Sequence, residues 1–195
     1  MDESIKEKIK LPTVELTGNY EISLLEPDGV EKIKKALNTA ALLAAAPMAL
    51  TCRLEEAFSA GSQGVFQFWT QVLALMPGLP GVFLRRAFYS YTLEHCSLDS
   101  YIGFGTIFAH KGAAIADHVY LGHCNVLGSV RLLEGSILAS RVSVTSGRHV
   151  HQRTADGGWT PMSMESMQTV HIGPHAWIGE GAVVMADVGQ GSLVG

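Results

Sequence analysis

The chain has 195 residues, 47% hydrophobic and 16% charged, far from the low-hydrophobicity, high-charge compositions that stay disordered. That length suits one ordinary domain or a compact domain with a substantial extension, and the extension is expected here. A net charge of -4, with 14 Lys and Arg scattered rather than gathered in a stripe, excludes nucleic acid as a principal partner.

The opening MDESIKEKIK mixes acids and bases where a secretion signal needs an apolar stretch behind a basic head, so no targeting peptide is expected. Lys6, Lys8 and Lys10, and then Lys32, Lys34 and Lys35, are interleaved with Glu and read as solvated helix faces. Cys52, Cys96 and Cys124 are too few and too widely spaced for a disulfide framework or a thiolate zinc site, which fits a reducing compartment, the cytoplasm.

From Pro27 to about Leu93 the pattern is helical. Asp28 can cap a helix beginning at Gly29 or Val30, and Ile33, Ala36, Leu37 and Ala40 recur at the spacing of one helix face. The run from Thr39 to Leu50 is apolar over only 12 residues and contains Pro47, whereas a spanning helix needs roughly 20, so it is not expected to cross a membrane. A second apolar stretch holds Phe66, Phe68, Trp69, Val72, Leu73 and Leu75 and is closed by the punctuator MPGLPG, Met76 to Gly81. A third, FLRRAFYSYTL, sets Phe83, Ala87 and Tyr91 at steps of four. Helices so rich in aromatic and aliphatic residues must pack on something or lie against a membrane surface, and packing is the leading expectation.

After Cys96 a six-residue period takes over. An aliphatic or aromatic residue, in most cases with a small one after it, recurs at Ile102, Phe108, Ile115, Leu121, Leu127, Leu132, Leu138 and Val144, and again at Ile172, Ile178 and Val184. Stacked short strands explain this: each contributes one inward side chain, and the chain bends sharply at the small residue after it. A sandwich, with strands every 8 to 12 residues and alternating faces, fits poorly. The expected fold is therefore mainly β, a parallel β-helix over residues 96–195 behind a helical segment 1–95. The repeat is broken once, by a polar loop at 145–169 carrying Asp156-Gly157-Gly158 and Pro161; loops that long in a compact repeat are usually functional or disordered. The sequence stops at Gly195 within another repeat and without a polar cap, so either the ordered part ends there or a C-terminal piece is missing.

Two local motifs carry a resemblance. VSVTSGRHVH, Val142 to His151, resembles the catalytic-loop segment of the hexapeptide-repeat acyltransferases, and VHIGPHAWIGEGAVVMADV, Val170 to Val188, resembles their block of two Ile-Gly pairs around an aromatic. The similarity covers about half the chain, Tyr101 to Gly195, and is greatest to the galactoside, maltose, xenobiotic and exopolysaccharide O-acetyltransferases. It implies a left-handed β-helix, a homotrimer with active sites between subunits, and acetyl transfer from acetyl-CoA to a hydroxyl of a sugar or polysaccharide precursor. It also implies donor-binding roles for Trp177, Gly179 and Ala186 and an acceptor-binding role for Asn125, with no metal.

Acyl transfer to a hydroxyl needs a base, and histidine, with an ordinary pKa near 6.5, is largely unprotonated at neutral pH. His149 and His151 open the loop where a strand ends, and either can be that base; His149 follows Ser146-Gly147 more closely. Three other readings compete. His118 and His123, with His95 or His110, could hold zinc in the manner of a γ-carbonic anhydrase. FAHKGAAIADHVYLG resembles the coils of serine acetyltransferases, and a non-catalytic scaffold is the third. A cytoplasmic enzyme is expected, held at the inner face of the membrane if the N-terminal helices make a peripheral lipid contact.

Overall fold

The computed structural model describes residues 27–147, 151–161 and 167–195. The lysines before Lys32 lie outside the described residues, as does His149. Helix α1 runs from Pro27 to Phe58, α2 from Gly64 to Ala74 and α3 from Gly78 to Thr92. A proline in the first turn of a helix loses no hydrogen bond, because N–H groups there have no intrahelical acceptor. Pro27 therefore opens α1 ahead of the expected Gly29, and Pro80 sits inside the first turn of α3, so the last four residues of the expected MPGLPG punctuator are helical.

Ala41, Ala45, Ala49 and Cys52 recur along one side of α1 and are buried, and their small size lets the helix lie close along α3. The Phe66 and Phe88 rings stack at 6.0 Å, and Tyr89 meets Phe108 edge-on at 4.8 Å, which joins α2, α3 and the first circuit of strands in one apolar cluster. Arg85 is fully buried within this cluster. Its Nε donates to Ile102 O at 2.9 Å and its Nη1 to Leu73 O at 2.9 Å and Met76 O at 2.7 Å, so one guanidinium ties the end of α2 to the sheets. Gly81 leaves it room: a Cβ there would lie 2.1 Å from Met76 O and 2.9 Å from Arg85 Nη1.

Among the described residues thirteen short strands follow: β1 (His95–Cys96), β2 (Tyr101–Ile102), β3 (Ile107–Phe108), β4 (Ala114–Ile115), β5 (Tyr120–Leu121), β6 (Val126–Leu127), β7 (Val130–Leu132), β8 (Ile137–Leu138), β9 (Ser143–Val144), β10 (Val170–Ile172), β11 (Trp177–Ile178), β12 (Val183–Val184) and β13 (Leu193–Val194). They form three parallel sheets, ordered β1-β4-β7-β10, β13-β11-β8-β5-β2 and β12-β9-β6-β3, and from β1 to β12 the chain visits the three in rotation. Each residue of the six-residue period is the last of its strand and is buried, and the register sets each against its counterpart one circuit on, as Leu121 against Leu138. The small residue that follows has a steric cause, since a Cβ on Gly103 would lie 2.4 Å from Gly122 O of the next circuit.

The expected fold class is corrected by this architecture. The helices hold 32, 11 and 15 residues and every strand only two or three, so the chain is not mainly β. It combines three parallel sheets of short strands with helices, in the manner of an α/β protein, and no left-handed β-helix is identified among the described residues. A six-residue period reports the bends of half the chain; it is the same for either hand and is silent on how much helix packs beside the sheets.

The membrane expectation for α1 changes as well. Gly29–Phe58 is 30 residues long with a mean hydropathy of 1.3, long and apolar enough to cross a membrane by length and composition, and 22% of the apolar window is buried. The sequence reading stopped at the polar flanks of a 12-residue run, whereas the helix continues through Pro47 and past Arg53.

Candidate functional site

The loop between β9 and β10 leaves the corner where the third sheet turns to the first, and the stack closes beneath it: β10 pairs with β7 and β9 with β12. Its residues 151–161 form a small hairpin. Arg153 and Trp159 bridge antiparallel, Thr160 N donates to Gln152 O at 2.8 Å, and Gly157, at φ +86°, makes the turn. The Arg153 guanidinium lies over the Trp159 ring at 5.0 Å.

His151 stands at the base of this hairpin, exposed, with Nδ1 2.9 Å from Thr160 O. A carbonyl oxygen only accepts, so Nδ1 is the donor, and in the neutral ring Nε2 is then the nitrogen with the lone pair. Thr160 also accepts the Gln152 N–H through its hydroxyl at 2.9 Å, which holds carbonyl and imidazole on one rigid turn. Nothing in the sequence pointed to Thr160, because its role arises from a hairpin closed across nine residues.

The other expected site residues are distributed. Ala186 is exposed just after β12, at the same corner of the stack as the loop. Trp177 projects from the outer face of the second sheet, 53% exposed, in register with Ile137 and Leu193. Gly179 lies at the corner between the second and third sheets, where Val194 O would be 3.0 Å from a Cβ; stacking of the next circuit accounts for its small size. Asn125 is fully buried, its amide donating to Gly122 O at 3.2 Å and accepting from Val142 N at 2.7 Å. It staples two successive corners together.

The histidines weighed as zinc ligands do not converge. His110 lies between the third and first sheets, His118 between the first and second, and His123 between the second and third, each at a different corner. Among the described residues no group of three or more His, Cys, Asp or Glu side chains could hold a metal ion. Two histidines instead have a carboxylate beside them: His118 Nδ1 is 3.6 Å from Asp99 Oδ2 and His171 Nδ1 is 3.4 Å from Asp187 Oδ1. Sequence reading missed both pairs, because their members come together only when one circuit lies on the next. Lys34 reaches from α1 to the same Asp99, so its cluster is not simply a solvated face. The hydrogen bond from Lys34 holds the Asp99 carboxyl below its ordinary range, with His118 and Arg86 adding to it.

Comparison with known proteins corrects the expected resemblance. A family model that matches, over residues 1–54, is that of the eukaryotic translation initiation factor 2 alpha subunit, which is not a hexapeptide-repeat acyltransferase family. That match ends within α1 and leaves all three sheets outside it. No curated protein matches the chain.

Proposed function

We propose that the protein transfers an acyl group, acetyl in the simplest case, from a coenzyme A thioester to a hydroxyl of a sugar or polysaccharide precursor. The observation that supports this most is His151, an exposed imidazole whose Nδ1 is held by a backbone carbonyl, which makes Nε2 the lone-pair nitrogen of the neutral ring. In that reading Nε2 takes the proton of the acceptor hydroxyl, the oxygen attacks the thioester carbonyl carbon, the carbon–sulfur bond breaks, and the proton passes to the departing thiolate. No covalent enzyme intermediate is required. His149 is the second candidate base on the same loop. Trp177 and Ala186 are the proposed donor contacts; Trp177 offers an apolar ring face and an indole donor to the pantetheine arm. Trp177 and the loop leave one chain on different faces, so the reading calls for neighbouring copies, three in a ring, to supply the two halves of a site. Cytoplasmic acetyl-CoA is the donor pool this implies.

The test is thiol release from acetyl-CoA with a panel of saccharide acceptors. His151→Ala is expected to lower kcat/KM by about 10²–10⁴, the range for loss of a general base. His118→Ala, which removes a histidine elsewhere on the stack, should leave it unchanged. No turnover with any acceptor, together with no coenzyme A binding by calorimetry, would overturn the proposal in favour of a scaffold.

A further inference from the structure

Helix α1 presents two faces with different partners. Ala41, Ala45 and Ala49 are buried toward the protein, while Ile33, Leu37, Leu43, Leu50, Leu54 and Phe58 fall within an arc of roughly 140° on the other side, at about 100° per residue. This outer arc is not lightly exposed: Leu43 is 72% and Phe58 89% accessible. Soluble surfaces rarely keep so long an apolar strip open to water.

The charges of the helix are sorted in the same sense. Glu31 pairs with Lys35 at 3.3 Å, Glu55 accepts from Ser62 at 2.7 Å and Val65 N at 3.0 Å, and Glu56 faces Lys111 at 3.6 Å. Glu31, Glu55 and Glu56 are thus engaged within the protein, whereas Lys32 and Arg53, beside the two ends of the strip, have no acidic partner among the described residues. An apolar strip with unpaired Lys32 and Arg53 beside its two ends complements an anionic lipid surface, in a chain whose net charge is -4.

We infer that α1 docks lengthwise on an anionic bilayer, its outer arc in the headgroup and acyl boundary, rather than crossing it. The ties on its protein side set that orientation. Lys34 reaches Asp99 near one end, Asn38 accepts from Arg86 Nη2 at 2.6 Å, and Glu56 meets Lys111 near the other end. A helix stitched at both ends to the body of the protein cannot thread a bilayer without breaking all of these. This inference does not depend on the acyl-transfer reading, and its test uses no turnover.

The full chain is mixed with vesicles of phosphatidylcholine alone or with added phosphatidylglycerol and floated through a density gradient. Wild type is expected to rise with the anionic vesicles and to be released by alkaline carbonate. Leu43→Asp combined with Leu50→Asp, on exposed positions, should cut the floating fraction by about tenfold or more while leaving the melting temperature unchanged. Lys32→Gln with Arg53→Gln should erase the preference for phosphatidylglycerol. The inference is overturned if wild type stays below both vesicle types. It also fails if L43D/L50D instead splits an oligomer seen by light scattering, which would make a second copy the occupant. Flotation only after removal of residues 1–26, or resistance to carbonate, would equally overturn it, since the chain's own N-terminus or a spanning helix would then account for the strip.

Discussion

The helical layer and the stack of strands solve the problem of burial differently. In the stack, each circuit places one aliphatic side chain over the one before it, and the backbone of the next circuit covers the small residue that follows. Its core is built by neighbours alone. The helical layer instead closes around one aromatic cluster and a buried guanidinium that reaches three carbonyl oxygens, two at the end of α2 and one in β2. A repeated core is locally replaceable, whereas a core hung on one polar group is not.

Thiol chemistry gives the widest contrast. Burial pushes the Cys96 thiol, at the joint of the two regions, up to about 12 and raises that of Cys52 in α1, whereas Cys124 is exposed at a corner of the stack. An aromatic disulfide reagent should titrate only Cys124 in the native protein and all three thiols after unfolding. Cys96 should react on the order of a thousandfold more slowly than an ordinary thiol with pKa near 8.5. Rapid native labelling of Cys52 would mean that the helical layer opens independently.

Stability measurements sharpen the comparison further. Arg85→Met keeps the volume and removes the donors of three buried carbonyls, so urea denaturation should register a loss of about 4 kcal/mol. A loss below about 1 kcal/mol would remove the guanidinium from its central place. Ile102→Ala and Ile178→Ala should each cost about 3 kcal/mol. They stand three circuits apart in one sheet, roughly 14 Å at about 4.8 Å per strand, so the double variant should equal their sum within about 0.5 kcal/mol. Strong coupling would show that the stack is not built from local neighbours.

The smallest effect is at the surface. Asp99, held below its ordinary range by Lys34, contributes stability that is present above the unfolded carboxylate pKa, near 3.9, and is lost as pH falls through its lower folded value. Because the pair is partly solvated, it is worth less than about 1 kcal/mol. The melting temperature of Asp99→Asn should therefore lie slightly below wild type at pH 7 and converge with it in acid. Equal values throughout would show that the Lys34 bridge adds nothing to the seating of α1.

The sequence by itself determined the residues of the core columns, the small residues at the bends, the three helical stretches and the place where the repeat is interrupted. All of these are local: a strand of two residues and its bend fit within one period, and a helix face repeats every three or four residues. Only the tertiary structure decided the fold class, since the weight of helix and the three-sheet arrangement arise from packing between segments far apart in the chain. It alone turned Asn125 into an internal staple and separated His110, His118 and His123 onto different corners. It also gave His151 its carbonyl partner and left one side of α1 apolar and open. Such properties depend on which side chains meet when circuits stack and helices dock, and no spacing along the chain encodes them.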